Sequence, residues 1–104
     1  MAWMYILKCS DGSYYVGSTT NLEIRIREHN DGVGSTYTAL RRPVELVYSA
    51  KFTTIAEAYQ AEKRVQGWSR AKREALIRGD YGALPALAHK DFSAYRKKRG
   101  KAPP

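Results

Sequence analysis

The chain begins with two short segments that favour β-strands, and the turn between them constrains the fold more than any other feature. Residues 3–9 and 13–18 are rich in aromatic and aliphatic side chains, and Ser10-Asp11-Gly12 between them has the composition of a hairpin turn. Strand side chains alternate between the two faces of a sheet, so one residue more or less in the loop moves a whole set of side chains to the other face. The length of this loop therefore decides which side chains can act together.

Two tyrosines in these segments depend on the loop length. A two-residue loop would pair Ser10 with Ser13 and direct Tyr5 and Tyr15 to opposite faces. A three-residue loop closed by a left-handed glycine pairs Tyr5 with Gly17 and places both phenols on one face. We predict the three-residue loop, with Gly17 leaving open space beside the Tyr5 ring for a ligand. Tyrosines also occur in sheets for packing alone, so the pair gains significance only from other residues.

The segment after the hairpin has the spacing of a helix. Thr20 or Asn21 can cap a helix that runs to Asn30, where an Asn-Asp-Gly sequence ends it. Arg25 and His29 are four residues apart and therefore share one helical face. We interpret residues 32–38 as a loop.

The second half of the chain predicts one more strand and two more helices. Residues 44–52 resemble a strand, and Thr54 with the glutamate three residues later has the form of a capping box that starts a helix ending at Gly67. Ser69 can cap a further helix closed by Gly79. A short apolar pattern at 84–88 predicts a last turn or two. The predicted order of elements is β-β-α-β-α-α.

Length and charge limit the classes of function. The 104 residues suffice for one domain, which we place at 1–89, followed by a basic tail at 90–104 that we expect to be frayed. The net charge of +8 points to an anionic partner, with nucleic acid the most general candidate. The charges divide as +1 for 1–52, +2 for 53–89 and +5 for 90–104, so the folded part is only mildly basic.

The composition also predicts the compartment. The single cysteine, Cys9, cannot form an intramolecular disulfide, and this is consistent with a reducing cytoplasm. No apolar run is long enough to cross a bilayer, and no signal peptide is evident. We expect a cytoplasmic protein that does not interact with membranes.

An ordered set of polar positions resembles that of a known superfamily. Tyr5, Tyr15-Val16-Gly17, Arg25, His29 and Glu62 resemble the motifs of the GIY-YIG nuclease superfamily. Nearly the whole chain is similar to the small single-domain UPF0213 (YhbQ-like) group. The resemblance to the superfamily implies an α+β fold, a small three-stranded antiparallel sheet flanked by helices. The chain departs from the pattern in the first motif, Trp3-Met4-Tyr5, in a serine at position 18 where some relatives have lysine, and in lacking an asparagine after Glu62.

The resemblance implies a phosphodiester-hydrolysing site of five residues. Glu62 would hold one Mg²⁺ or Mn²⁺, while the alternative for this residue is a solvated helix glutamate. Arg25 would grip phosphate oxygens, or else pair with Glu23 or Glu28 on the helix surface. His29 could orient or deprotonate the attacking water, or simply pack. Tyr5 and Tyr15 would position water and phosphate, and one could be the general base if nearby cations lower its pKa.

Further residues are candidates for contact with nucleic acid. They are Gly17, Ser18, Arg41, Arg42 and Lys72. Trp68 could stack on a base, but a tryptophan at a helix junction more often fills a core. The leading hypothesis is a metal-dependent endonuclease acting on DNA rather than RNA, with structured or damaged DNA as the candidate substrate. The alternatives are a nucleic-acid-binding module with the same fold and little or no cleavage, or an interaction domain whose basic tail docks on an acidic protein.

Overall fold

The computed structural model describes residues 1–83. Its elements follow the predicted order, with an additional short α-helix and a 3-10 turn. The strands are β1 (Ala2–Lys8), β2 (Tyr14–Thr19) and β3 (Glu45–Phe52). The helices are α1 (Leu22–Asn30), α2 (Thr36–Ala39), α3 (Ile55–Gln66) and α4 (Arg70–Arg78), followed by a 3-10 turn at Tyr81–Ala83. The strands form one antiparallel sheet in the order β2-β1-β3, so β1 is central. The predicted α+β fold class, a three-stranded antiparallel sheet flanked by helices, is confirmed.

Three predictions lie outside the described residues. They concern the apolar pattern at 84–88, the domain boundary at 89 and the basic tail at 90–104. Within residues 1–83, no helix combines the length and the apolar character that crossing a bilayer requires.

The hairpin has the predicted three-residue loop. Tyr5 pairs with Gly17 across β1 and β2. The amide of Gly12 donates to the Cys9 carbonyl at 2.9 Å, and the amide of Cys9 donates to the Ser13 carbonyl at 2.8 Å. Gly12 has a φ of 85°, the left-handed conformation that closes such a loop at little cost only in glycine. Cys9 itself lies just past the end of β1 and is buried.

The central strand separates two apolar clusters because its side chains alternate between faces. One face carries Met4 and Ile6, and α3 and α4 cover it. The other carries Tyr5 and Leu7, with Leu22 and other residues of α1 packed nearby. We name these the α3 face and the α1 face. Both faces of β1 are buried, so the polar groups that matter for function lie at the edges of the sheet or under α1.

The helix ends were predicted well. Asn21 caps α1, Thr54 forms the predicted capping box of α3, and Ser69 caps α4. Gly79 ends α4 at a φ of 80°. The one added α-helix is α2, a single turn that begins inside the segment interpreted as a loop and ends one residue beyond it. Its cap is Ser35, whose hydroxyl accepts from the Thr38 amide at 3.2 Å.

Candidate active site

The hairpin register places the two predicted phenols together on the α1 face. The ring centroids of Tyr5 and Tyr15 are 6.4 Å apart and their planes differ by 38°. Tyr5 is only 1% exposed, whereas Tyr15 is half-buried. Tyr15 is therefore the phenol that faces solvent, and Tyr5 lies behind it.

Gly17 does not leave an open space beside Tyr5, and that prediction is wrong. A Cβ atom built on Gly17 would lie 2.5 Å from the Tyr5 hydroxyl and 2.6 Å from its Cζ. The space that the missing side chain leaves is filled by the phenol itself. The hydroxyl of Tyr5 thus lies directly against the backbone of β2, which is an edge strand of the sheet.

His29 is completely buried beneath the tyrosines and uses both ring nitrogens. Its Nε2 lies 2.9 Å from the Tyr5 hydroxyl, and its Nδ1 lies 2.7 Å from Thr38 Oγ1. Burial, with a smaller effect from the nearby Arg25 charge, lowers the pKa of His29 to about 4. The imidazole is therefore neutral at pH 7. Both ring nitrogens are therefore bonded to side chains and the ring is sealed from solvent, and the role of His29 in orienting or deprotonating water stays a prediction.

A chain of hydrogen bonds continues from His29 to the turn that begins α2. Thr38 is fully buried, and its hydroxyl lies 3.4 Å from the Ser35 carbonyl, to which it can donate. If Thr38 donates there, its oxygen accepts from His29 Nδ1–H, which leaves Nε2 free to accept the proton of the Tyr5 hydroxyl. One tautomer of His29 thus satisfies every donor from Tyr5 to Ser35.

The pKa of Tyr5 moves in the direction opposite to the prediction. Burial raises the pKa of Tyr5 to about 12, and the adjacent Arg25 guanidinium only partly opposes this. A cation next to the phenol was expected to lower its pKa, but desolvation of a group that is 1% exposed is the larger effect. Tyr5 is therefore a neutral hydrogen-bonding group at pH 7.

Arg25 lies one turn before His29 on α1, at the rim of the same cluster. Its Nη1 donates to Glu28 Oε1 at 2.9 Å and its Nη2 donates to the Gly34 carbonyl at 2.9 Å. The bond to Glu28, ahead of a smaller contribution from Tyr5, raises the pKa of Arg25. The side chain is 33% exposed, so the guanidinium is held in place and still faces solvent. The pairing of Arg25 with Glu28 is thus confirmed, and its role in gripping phosphate oxygens stays a prediction.

Glu62 approaches from the other side of the sheet. It is on α3, and its Oε1 accepts from the Ser18 hydroxyl at 2.6 Å while its Oε2 accepts from Gln66 Nε2 at 2.8 Å. Ser18 pairs with Met4 and therefore points to the α3 face, opposite to Tyr5. The side chain of Glu62 is 13% exposed.

The Tyr5 cluster on the α1 face and Glu62 on the α3 face approach each other around Gly17. The Tyr5 hydroxyl covers Gly17 on the α1 face, and Glu62 is bonded to the next residue, Ser18, on the α3 face. The carboxylate is close enough to affect the phenol: after burial, the charge of Glu62 adds a small contribution to the raised pKa of Tyr5. The Tyr5 phenol and the Glu62 carboxylate thus lie on opposite faces of the sheet, at Gly17 and Ser18 of the edge strand β2.

The donor set allows one weakly held divalent cation. Within residues 1–83, no three His, Cys, Asp or Glu side chains cluster as metal ligands, and Glu62 is the one carboxylate that the family resemblance assigns to the metal. Mg²⁺ and Mn²⁺ accept such a site because they keep several waters and also bind substrate phosphates. The carboxylate of Glu62 has lone pairs beyond the two used by Ser18 and Gln66. These residues therefore fit the cation, with Glu62 holding it.

Arg41 joins the cluster through a second aromatic ring. Tyr37 stacks on Tyr15 with centroids 6.0 Å apart, and the Arg41 guanidinium lies 3.8 Å from the centroid of Tyr37. Arg41 also donates from Nε to Asp11 Oδ2 at 3.1 Å, which ties it to the hairpin turn. Arg41 thus lies against Tyr37, which in turn stacks on Tyr15, and its contact with nucleic acid stays a prediction.

The other candidate contacts are placed differently. Arg42 donates from Nε to the Ala39 carbonyl at 3.0 Å and lies against Gly32. Lys72 is on α4, which covers the α3 face. Within residues 1–83, neither side chain makes a hydrogen bond or cation–π contact with the two site tyrosines. Trp68 packs against the core of the α3 face, which favours its interpretation as a core residue.

Two residues of the site were missed by sequence reasoning. Gln66 follows Glu62 by one helical turn, and this spacing was the available signal for a bond between them. Thr38 had no comparable signal, because its contact with His29 depends on how the segment after α1 folds back.

The fold and this cluster define a recognised class. The profile of the GIY-YIG catalytic domain matches residues 1–75, so the chain belongs to this family of nuclease domains. Its relatives are UPF0213 proteins. One from Bacillus pumilus is 48% identical over 75 residues, 72% of this chain and 76% of the relative. One from Halobacterium salinarum is 45% identical over 77 residues, 74% of this chain and 100% of the relative.

A solved structure agrees with this assignment. The solution NMR structure of a protein from E. faecalis has 36% sequence identity and a TM-score of 0.52, and the match covers 80% of this chain and 88% of that one. The predicted membership in the GIY-YIG superfamily and in the UPF0213 group is confirmed.

Proposed function

We propose that the chain is a metal-dependent endonuclease that hydrolyses phosphodiester bonds in nucleic acid, with structured or damaged DNA as the expected substrate. The observation that carries the proposal is the meeting of the Tyr5–His29 pair, Arg25 and Glu62 around Gly17 at the free edge of β2. Membership in a nuclease family supports the reaction type. So small a chain has little surface for reading base edges, which favours recognition of shape over sequence.

Arg25 is the residue suited to hold the scissile phosphate. Its two bonds to Glu28 and Gly34 fix the guanidinium and leave other N–H groups pointing outward. Tyr15, which is half-buried beside it, can donate its phenolic hydrogen to a second phosphate oxygen. Together they would orient the phosphorus for attack along the line of the leaving oxygen.

The Tyr5–His29 pair is suited to take the proton of the attacking water. Tyr5 is 1% exposed, so this step needs a local opening that admits one water to the phenol. That water would donate its proton to the Tyr5 oxygen while the Tyr5 proton moves to His29 Nε2, over the observed 2.9 Å contact. The hydroxide then bonds to phosphorus, the bond to the leaving oxygen breaks, and that oxygen takes a proton from solvent. His29 returns its proton to solvent through Tyr5. The neutral imidazole can accept the proton, and its pKa of about 4 makes it a weak base.

A divalent cation on Glu62 would neutralise charge on the phosphoryl and leaving oxygens. The contribution of the chain is to place that carboxylate beside the phenol pair from the opposite face of the sheet.

Cleavage assays with matched variants test the proposal. The purified protein is incubated with Mg²⁺ or Mn²⁺ and a panel of branched, mismatched, single-stranded and fully paired DNA and RNA. Arg25→Ala and Glu62→Gln should each lower the cleavage rate by at least about 100-fold, whereas Arg27→Ala, an exposed arginine on the same helix, should not. Equal activity in the parent and Glu62→Gln would refute the proposal.

A nucleic-acid-binding module without efficient cleavage is the second candidate. The observations that favour it are the single carboxylate available to a metal and the pKa of about 12 for the buried Tyr5. The same panel decides, since this alternative predicts salt-sensitive binding that Arg25→Ala weakens and no cut product with either metal.

A further inference from the structure

We infer that Ser18 and Gln66 are positioning residues that hold the Glu62 carboxylate at the edge of β2 in the orientation a divalent cation needs. This rests on the proposed function and adds residues to its site. Neither side chain would touch substrate or metal, and both would act through Glu62.

Each carboxylate oxygen has its own donor. The Ser18 hydroxyl donates to Oε1 at 2.6 Å, and Gln66 Nε2 donates to Oε2 at 2.8 Å. The same Gln66 nitrogen donates to the Val16 carbonyl of β2 at 3.1 Å. A single amide thus joins the carboxylate to the strand that carries Gly17. A glutamate side chain otherwise has several free torsions, and a cation that depends on one protein ligand gains most from having them fixed.

Both donors are neutral, and this separates the arrangement from an ordinary surface ion pair. Hydrogen bonds from a hydroxyl and an amide orient the carboxylate without cancelling its charge. Within residues 1–83, Glu62 forms an ion pair with Lys63, whose Nζ is 3.9 Å from Oε2 and whose side chain is 52% exposed. Such a pair contributes little. The carboxylate therefore has lone pairs left for a ligand.

Packing does not explain the two bonds by itself. The neighbouring α3 residues Ala58, Ala61 and Val65 are buried against the sheet and already attach the helix. The bond from Ser18 reaches only the carboxylate, so this hydroxyl acts on Glu62 alone.

Titration with Mn²⁺ alone tests the inference without any cleavage. Mn²⁺ broadens the NMR signals of nearby amides, and in the parent the signals of Gly17 and Glu62 should broaden before those of α4. Ser18→Ala and Gln66→Ala should each raise the Mn²⁺ concentration for half-broadening by about 10-fold, as loss of a residue that orients a metal ligand does. Ser18→Thr, which keeps the hydroxyl, should restore the parent value.

Two further variants exclude a general loss of structure. Gln66→Glu removes both amide bonds but adds a carboxylate one turn from Glu62, so it should lower the Mn²⁺ concentration for half-broadening. Damage to the fold could not produce that change. Gln60→Ala replaces an exposed glutamine of the same helix and should leave the titration unchanged.

The outcomes separate this inference from the nuclease proposal. Unchanged titrations in Ser18→Ala and Gln66→Ala, or absence of selective broadening in the parent, overturn the inference even if the protein cleaves DNA in a Glu62-dependent manner. The expected titrations without cleavage of any substrate leave the inference standing and reject the nuclease.

Discussion

The Gly17→Ala variant tests whether the close contact between the Tyr5 phenol and Gly17 determines the geometry of the site. The backbone at Gly17 does not have a positive φ, so alanine meets no conformational obstacle there. The obstacle is the phenol of Tyr5, which a new Cβ would approach to 2.5 Å. Ordinary contact begins at 3.4 Å, so the hydroxyl must retreat by about 0.9 Å, the difference between the two distances.

The retreat has two costs. Forcing an extra methyl group against a ring that is 1% exposed costs about 1–3 kcal/mol. Moving the hydroxyl away from His29 Nε2 leaves a buried ring nitrogen without its partner, at about 1–3 kcal/mol. Replacing glycine recovers about 0.5–1 kcal/mol of chain entropy. We expect the free energy of unfolding to fall by about 2–4 kcal/mol and the cleavage rate to fall by about 100-fold, since an error of about 1 Å in a reacting group has that effect.

Urea denaturation combined with a double-mutant cycle measures the effect and its cause. In a Tyr5→Leu background the ring is absent, so adding Gly17→Ala should cost less than about 0.5 kcal/mol. Gly67→Ala is the matched control, because its Cβ would lie 3.5 Å from the nearest atom, within ordinary contact. If Gly17→Ala costs the same in both backgrounds, the steric argument is wrong.

Three other predictions follow from the buried hydrogen bonds and caps. Thr38→Val removes the partner of His29 Nδ1 and should cost about 1–3 kcal/mol in urea denaturation; an unchanged midpoint would mean that the imidazole finds another donor or acceptor. His29 has a folded pKa of about 4 against an ordinary 6.5, so the unfolded chain binds more protons between these values. Stability should therefore fall as pH drops from 6.5 to 4, by up to about 3 kcal/mol from this group, and a similar slope in His29→Gln would contradict this. Thr54→Ala removes the capping box of α3 and should cost about 1 kcal/mol, whereas Thr53→Ala should not.

Local chemistry in the sequence was sufficient for the parts of the fold that depend on neighbouring residues. The register of the hairpin followed from the left-handed glycine at position 12, and the starts of α1, α3 and α4 followed from Asn21, Thr54 and Ser69. Each of these residues satisfies backbone groups within a few positions of itself. The family resemblance then identified the set of site residues. Their positions in the chain did not show how deeply each side chain is buried.

The predictions failed for the burial of side chains and for contacts between residues that are far apart in the chain. Helical spacing placed His29 on the correct face, but only the packed structure shows that the ring is sealed and neutral. The same burial reverses the expected direction of the Tyr5 pKa. The one-turn helix α2 has no amphipathic pattern, and the Ser35 cap and the contact of Thr38 with His29 hold it. The bond from Ser18 to Glu62 joins residues 44 positions apart, which no local pattern reveals.

The position of the site follows from the combination of a central strand and an edge strand. The phenol of Tyr5 on β1 lies against β2 because Gly17 has no side chain in its path. Within residues 1–83, β2 pairs with β1 alone and is an edge strand, in which Val16 and Gly17 are themselves buried. Exposed strand edges also invite pairing with other strands. Gln66 counters this by bonding the Val16 carbonyl, and it brings Glu62 to the same edge. Gln66 is thus the residue that both protects the edge of β2 and holds the Glu62 carboxylate.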